Sequence, residues 1–495
     1  MESLTYIDWP VTIRSIAPLL ALLGGAMLSL IFAALPGNKS WRLEFWASIA
    51  GFAAAIISSW LLWPQSGKGA FATIATGRLS QAGILIVTIS AMFAAFVSPS
   101  YMEARREARP GYYGLIAFTA FGMAAVASAA DLVTLLISIE TMSLAVYALA
   151  GFMRGRPASV EGALKYFITG AFAAAFLCMG IAFIFGSAGT TDLRIIAERA
   201  VSAAADSRHI FLFGLAMVAV GLSFKVAAAP FHAWAPDAYD GAPTPVTLLM
   251  ATGVKAAALI AFFRIASAIG VAGGELWHGL LWGLAALTIM WGNLAALRQQ
   301  NIKRMLAWSS VAHAGYMLMV FPSVSANPQG LVRALLLYIV AYSLMTAGAF
   351  AAVGAFGLSS GEPADIGRFS GLSRKRPALA AALSLFLISL AGFPPTLGFF
   401  GKYYLFLAVV RAGDVGLAVV AVVGSVISAC YYLRPVMAMY FKDARVRAVP
   451  KAPTAVPAHA FYAAVVAAIV IAALAVAIFG IMPQDLVAFV EASAL

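Results

Sequence analysis

Apolar runs of about twenty residues follow one another along this chain with little between them, and a run of that length crosses a lipid bilayer as a helix. Fourteen are expected, at 13–35, 44–64, 79–99, 112–130, 131–153, 161–187, 209–238, 243–269, 275–297, 303–321, 329–357, 377–410, 414–437 and 458–482. Hydrophobic residues make up 63% of the sequence and charged ones 11%. A soluble domain is about half apolar and a quarter charged, so lipid must be the solvent for most of these helices. Backbone groups in lipid must be satisfied internally, which leaves the helix as the spanning element here. The expectation is an all-α, multi-pass membrane protein.

The charges fall in the short segments between runs. One set of loops carries eighteen basic residues: Lys39, Arg42, Arg105, Arg106, Arg109, Arg154, Arg156, Arg298, Lys303, Arg304, Arg368, Arg374, Lys375, Arg376, Lys442, Arg445, Arg447 and Lys451. The opposite set carries nine: Arg14, Lys68, Arg78, Arg194, Arg199, Arg208, Arg264, Arg333 and Arg411. Positive charge stays on the cytoplasmic side, so the first set is cytoplasmic and both termini face the periplasm. The stretch Met1–Pro10, with Glu2 and Asp8, lacks a secretory signal's basic start and cleavage site. The first run is therefore expected to stay as a span, in a bacterial inner membrane. The net charge of +12 is loop charge that sets topology, which removes the argument for a nucleic-acid partner. Cys178 and Cys430 both sit inside apolar runs, with no CxxC or Cys/His cluster to hold zinc or iron–sulfur. No phosphate-binding loop follows a predicted strand.

Four lysines, Lys165, Lys225, Lys255 and Lys402, lie inside predicted spans, and Glu140 lies near the middle of the fifth. An ionisable group at the bilayer centre costs about 2.5–3.5 kcal/mol on insertion scales and marks a functional path by default. Lys165, four residues into its run, has a bland alternative in snorkelling to the interface. His232 follows Pro230 and has capping of freed carbonyls as its alternative; His313 has helix packing. For Glu140, Lys225, Lys255 and Lys402 the alternative is a static ion pair, which one carboxylate against three ammoniums does not balance. A lysine poised between desolvation and a nearby carboxylate can load and release a proton.

Two runs contain breakers. Pro230 and Pro236 interrupt the seventh; Gly392, Pro394 and Pro395 interrupt the twelfth. Proline removes a backbone donor and clashes with the preceding turn. Irregular backbone at membrane depth persists where it is buried or lines a hydrated cavity, and broken helices build transporter ion sites. A simple kink is the alternative. The two runs stand five spans apart, an odd shift that reverses orientation. Spans four to eight and nine to thirteen then form two inverted five-helix repeats whose fourth members are the broken, lysine-bearing helices. Four segments follow: 1–111 with the first three spans, 112–269 with the first repeat, 275–437 with the second, and 438–495 with the last span. Two half-channels, joined by a charged midplane path, are the expected arrangement.

At these residues the sequence resembles a known family. SFKVAAAPFHAWAPDAYDGAPTPVTLLMATGVKAA (Ser223–Ala257), NLAALRQQNIKRMLAWSSVAHAGYMLM (Asn293–Met319) and AGFPPTLGFFGKYYLF (Ala391–Phe406) are similar to signatures of the antiporter-like subunits of respiratory NADH:quinone oxidoreductase, complex I. ETMSLAVYAL and EGALKYF add to the likeness. The tyrosine and glycine of Asp237–Pro243, Lys402 in place of a glutamate, and the absence of a long lateral helix after span fourteen make the subunit N family the nearest in pattern. The resemblance implies that Glu140 pairs with Lys225, that Lys255 relays the proton centrally, and that Lys402 is the terminal site. It implies that Lys165, His232 and His313 line the path, and that the chain works beside neighbouring antiporter-like, other membrane and peripheral subunits. It also implies that flavin mononucleotide, iron–sulfur clusters, NADH and quinone are held by those other subunits and none by this chain. A subunit of a multi-subunit cation/proton antiporter and a non-pumping membrane scaffold are the two alternatives.

Overall fold

The computed structural model describes residues 9–36, 40–63, 73–202, 205–360, 365–443 and 459–493. Lys39, Lys68, Arg445, Arg447 and Lys451 of the loop charges, and Glu2 and Asp8 of the first stretch, lie outside the described residues. The helices are α1 (Trp9–Ser15), α2 (Ala17–Ala33), α3 (Ser40–Leu62), α4 (Arg78–Ala104), α5 (Tyr112–Ser128), α6 (Leu132–Ala150) and α7 (Pro157–Ala188). Next come α8 (Leu193–Ser202), α9 (Ala205–Val226), α10 (Ala235–Gly241), α11 (Thr244–Leu249), α12 (Lys255–Ile269), α13 (Gly274–Leu297) and α14 (Ile302–Leu318). The last third holds α15 (Pro328–Ser360), α16 (Leu372–Lys375), α17 (Pro377–Ala391), α18 (Leu397–Arg411), α19 (Val415–Phe441), α20 (His459–Ile481) and α21 (Gln484–Ser493). Among the described residues there is no strand, only isolated bridges between loops.

Among the described residues, ten helices are long and apolar enough to cross a membrane by length and composition. Each of the fourteen apolar runs holds a helix, and the four that fall short do so for visible reasons. Ala17–Ala33, Tyr112–Ser128 and Pro377–Ala391 are apolar but short. Helix α14 has 17 residues and carries Lys303, Arg304 and His313. Helices α8, α16 and α21 lie outside the runs; α21 packs against the α3 end, where Phe489 stacks on Trp63 at 5.2 Å.

Local chemistry sets the helix ends. Asp131 caps α6, its Oδ1 accepting from Val133 N at 2.8 Å and Thr134 N at 2.9 Å. Asn301 caps α14 by accepting from Lys303 N at 2.9 Å. Helices α2 and α3 cross where Gly25 meets Gly51, and a Cβ on either would sit 2.8 Å from the other's Cα. Small residues at a crossing are how membrane helices approach closely.

The loops knit into two faces. On one, Asn301 bridges Asp365, and Arg304 pairs with Asp237 at 2.7 Å. On the other, Asp131 bridges Asp192 and Arg264 donates to Ala129 O at 2.6 Å. The segment Thr244–Ile269 is buried throughout and α15 nearly so, whereas α7, α13, α19 and α20 leave most of their surface outward. The centre of the bundle is therefore α11–α12 against α4, α14 and α15, and Lys255 stands in it.

Candidate functional site: a row of buried lysines

Both breaks expected from sequence are present, and the same backbone motif makes them. Helix α9 ends with Ala227 at φ +59°; Ala228 N donates to Ser223 O at 2.8 Å and Ala227 N to Phe224 O at 3.0 Å. Helix α17 ends with Gly392 at φ +91°; Phe393 N donates to Ile388 O at 3.3 Å and Gly392 N to Ser389 O at 2.9 Å. This paired six-to-one and five-to-two bonding, around a left-handed residue, is the Schellman termination. Pro230 lies in the first irregular stretch, between α9 and α10; Pro394 and Pro395 lie in the second, between α17 and α18. A proline cannot resume the ladder it interrupts.

A lysine sits at each broken end. Lys225 is in the last turn of α9. Lys402 is on α18, but its ammonium reaches back to Ala391 O at 2.8 Å, at the end of α17. The C-terminal end of a helix carries partial negative charge that favours a cation. The ammonium of Lys402 is thus held at the negative end of α17, and Lys225 stands in the last turn of α9. Lys402 also donates to Ser425 Oγ at 2.9 Å and faces the Tyr316 ring at 5.2 Å.

Lys225 donates to Ser143 Oγ at 2.6 Å and Tyr147 OH at 3.1 Å. Glu140 lies one turn before Ser143 and two before Tyr147, on the same face of α6. The pairing of Glu140 with Lys225 is indirect in this conformation, with Ser143 as the nearer partner, and Glu140 Oε1 is buried without a hydrogen-bond partner among the described residues. A buried polar atom with no protein partner is where ordered water belongs.

Lys255 is 1% exposed and stands directly after a π-helical turn, Met250–Val254. Such turns cluster at functional positions because they re-aim one side chain. Its ammonium donates to both the carbonyl and the hydroxyl of Ser310, each at 2.6 Å, and Tyr342 OH donates to the same hydroxyl at 2.8 Å. His313, one turn along α14 from Ser310, hydrogen-bonds Tyr338 OH at 2.7 Å and Tyr432 OH at 3.0 Å. Its ring lies 5.0 Å from that of Tyr342 and 5.7 Å from that of Tyr316. Lys255, Ser310, Tyr342, His313, Tyr316 and Lys402 therefore form one contiguous polar row.

Two expected path residues stand apart from it. Lys165 is half-exposed and forms ion pairs with Glu161 at 2.6 Å and Asp237 at 2.8 Å, in a surface cluster with Arg304. His232 is buried against Trp308 and Trp291, at 5.2 and 5.9 Å, and its Nδ1 has no hydrogen-bond partner among the described residues. Between Lys225 and Lys255 stands an aromatic series: Tyr166 stacks on Trp234 at 4.0 Å, and Trp234 meets Tyr239 at 6.0 Å.

Sequence reasoning did not select Ser143, Tyr147, Ser310, Tyr342 or Ser425. The first two carried a signal, the i+3 and i+7 spacing from Glu140 on one helix; Ser310 carried a weaker one, three residues before His313. Ser425 had none.

Residues 129–428 match the family described as NADH:quinone oxidoreductase/Mrp antiporter, TM. NADH-quinone oxidoreductase subunit N of Bdellovibrio bacteriovorus is 37% identical over 488 residues, covering 97% of this chain and 98% of its own length. The subunit N of Trichlorobacter lovleyi is 41% identical over 426 residues, 86% of each chain. The chain belongs to the antiporter-like subunit N family of NADH:quinone oxidoreductase. A chain of respiratory complex I from Thermus thermophilus with bound aureothin superposes with a TM-score of 0.78 at 36% identity, over 95% of this chain and 98% of that one. The Mrp complex from Dietzia sp. DQ12-45-1b gives 0.82 at 21% identity over 98% and 97%, a likeness of fold.

Proposed function

We propose that this chain translocates protons across a bacterial inner membrane within NADH:quinone oxidoreductase. In this reading it has fourteen spans, two inverted repeats and both termini in the periplasm. Protons enter through a half-channel of the first repeat, pass Lys225 and Lys255, and leave by Lys402 through the second. Redox chemistry, with its flavin, iron–sulfur, NADH and quinone sites, belongs to partner subunits and supplies the energy.

One observation carries the reading. Lys225, Lys255 and Lys402 are each buried on neutral oxygen partners, and every set includes a hydroxyl. A carboxylate only accepts hydrogen bonds and so locks an ammonium in place. A hydroxyl accepts from an ammonium and turns to donate to a neutral amine. Ser143, Tyr147, Ser310 and Ser425 therefore suit both protonation states of their lysines. Glu140 then acts as the switch: brought onto Lys225 it holds the proton, and withdrawn it lets desolvation drive the proton on. Each proton moved against the membrane potential requires about 2.3 kcal/mol per 100 mV. A charge-assisted hydrogen bond made or broken, at about 1.5–3 kcal/mol, is of that size.

The test is Lys255→Ala in the assembled complex. NADH oxidation and proton pumping are expected to fall together while native gels show normal assembly. Pumping at an unchanged proton-to-electron ratio would place Lys255 off the path.

A further inference from the structure

The second half of the chain contains a polar cluster that the lysine row does not use. His278 near the start of α13, Ser323 in the 319–327 loop and Asp414 ahead of α19 meet on the face away from the Asn301–Asp365 bridge. Asp414 is 8% exposed. Its Oδ1 lies 3.1 Å from His278 Nε2, and its Oδ2 accepts from the Ser323 hydroxyl. An aspartate ahead of a helix ordinarily caps it, at a gain of about 1 kcal/mol. Asp414 occupies the cap position of α19 and makes no side-chain cap bond. Its carboxylate is given to the cluster instead. His278 and Ser323 line a cavity of ≈ 640 Å³ together with Glu275, Trp277 and Ser325.

The cluster lies in line with Lys402. Helix α19 begins beside Asp414 and carries Ser425, the hydroxyl that holds Lys402, eleven residues further on, about 16 Å along the axis. The buried residues of α13 and α19 between these levels include the apolar Leu281, Ala285, Leu417, Ala418 and Ala421, with Thr288 at the inner end. An apolar constriction between two polar stations gates by wetting and drying.

We propose that His278, held by Asp414, which Ser323 holds in turn, is the release station of the second half-channel. The inference rests on the proton-translocating reading above. The Lys402 ammonium gives its proton to water when the constriction wets. The neutral imidazole of His278 takes that proton on its free ring nitrogen, and the Asp414 carboxylate holds the imidazolium. The same N–H bond then breaks to return the proton to water in the cavity. Only N–H and O–H bonds change, and His278 and Asp414 end as they began. The imidazole is suited because one ring nitrogen faces the carboxylate while the other is left to take up and return a proton. Of the other charged groups, Glu275 lines the same cavity and Arg411 ends α18; the 319–327 loop brings none.

The experiment uses the whole complex in vesicles oriented with this face inward. NADH-driven pumping is recorded against lumenal pH at fixed external pH for wild type, His278→Gln, Asp414→Asn, Asp414→Glu and Lys402→Ala. Wild type slows as lumenal pH falls. His278→Gln keeps a donor to Asp414, so a merely structural cluster would leave its profile as in wild type. As a release station, His278→Gln pumps several-fold more slowly and loses the lumenal pH dependence; Asp414→Asn does the same, and Asp414→Glu retains part. A wild-type pH profile in His278→Gln, with Lys402→Ala abolishing pumping, overturns this inference alone. Undiminished pumping in Lys402→Ala overturns the reading beneath it.

Discussion

Gly392→Ala places a single methyl group between the end of α17 and Lys402, and its cost follows from two terms. At φ +91° the position lies in the half of the map that L-residues avoid. Holding alanine in the left-handed region costs about 1–2 kcal/mol. The new Cβ would also sit 2.9 Å from Lys402 Cδ and 3.2 Å from its Nζ. The lysine must swing aside and give up its 2.8 Å bond to Ala391 O. A hydrogen bond from a charged donor is worth about 1.5–3 kcal/mol, so the two terms together reach about 2.5–5 kcal/mol. Thermal unfolding of the complex and proton pumping in vesicles are both expected to drop, pumping more than NADH binding to the peripheral subunits. Ala227→Gly is the matched control at the other break. There a Cβ already stands at φ +59°, so its removal shifts stability by less than about 1 kcal/mol and leaves pumping intact. Normal stability and pumping in Gly392→Ala would refute the claim that the Schellman end of α17 seats Lys402.

Glu140→Gln should impair coupled turnover in a complex that still assembles, and Glu140→Asp should keep part of it; native gels and vesicle pumping check both, and failed assembly with normal specific pumping would make Glu140 a structural staple. The purified chain, free of partners, should neither oxidise NADH nor reduce quinone; an NADH-dependent absorbance change from it would contradict the assignment of redox chemistry to other subunits. Lys165→Ala should change pumping less than Lys255→Ala under the same vesicle assay, because Lys165 is half-exposed and its partners are surface carboxylates.

The parts of this fold that were legible in the sequence are those that one segment decides by itself. An apolar run long enough to span needs no partner to declare itself, and Pro230, Pro394 and Pro395 break helices through their own covalent geometry. The buried lysines were legible because a charge in an apolar run has no local explanation. What stayed hidden depends on which helices meet. Ser143 is 82 residues from Lys225, Ser310 is 55 from Lys255, and His278 is 136 from Asp414. No periodicity within one run reports such pairings. The π-turn before Lys255 left no mark either, since Met250–Val254 reads as ordinary helix in composition. Lys165 shows the opposite case: its position near a run's end raises the interface as an alternative, and in the fold it is half-exposed and paired with Glu161 and Asp237.

The two broken helices also explain why one carboxylate can serve three lysines. A buried ammonium without an anion must find negative potential elsewhere, and helix C-termini supply it without a titratable group. Lys225 ends α9 and Lys402 holds the last carbonyl of α17, so both stand on dipoles that the prolines expose. Lys255 lacks such an end; it follows a π-turn in mid-helix and draws instead on the Ser310 carbonyl of the neighbouring α14. The central lysine therefore depends on contact between α12 and α14, whereas the outer two depend on their own broken spans. A small relative shift of α12 and α14 would remove the charge support of Lys255 and leave that of Lys225 and Lys402 in place.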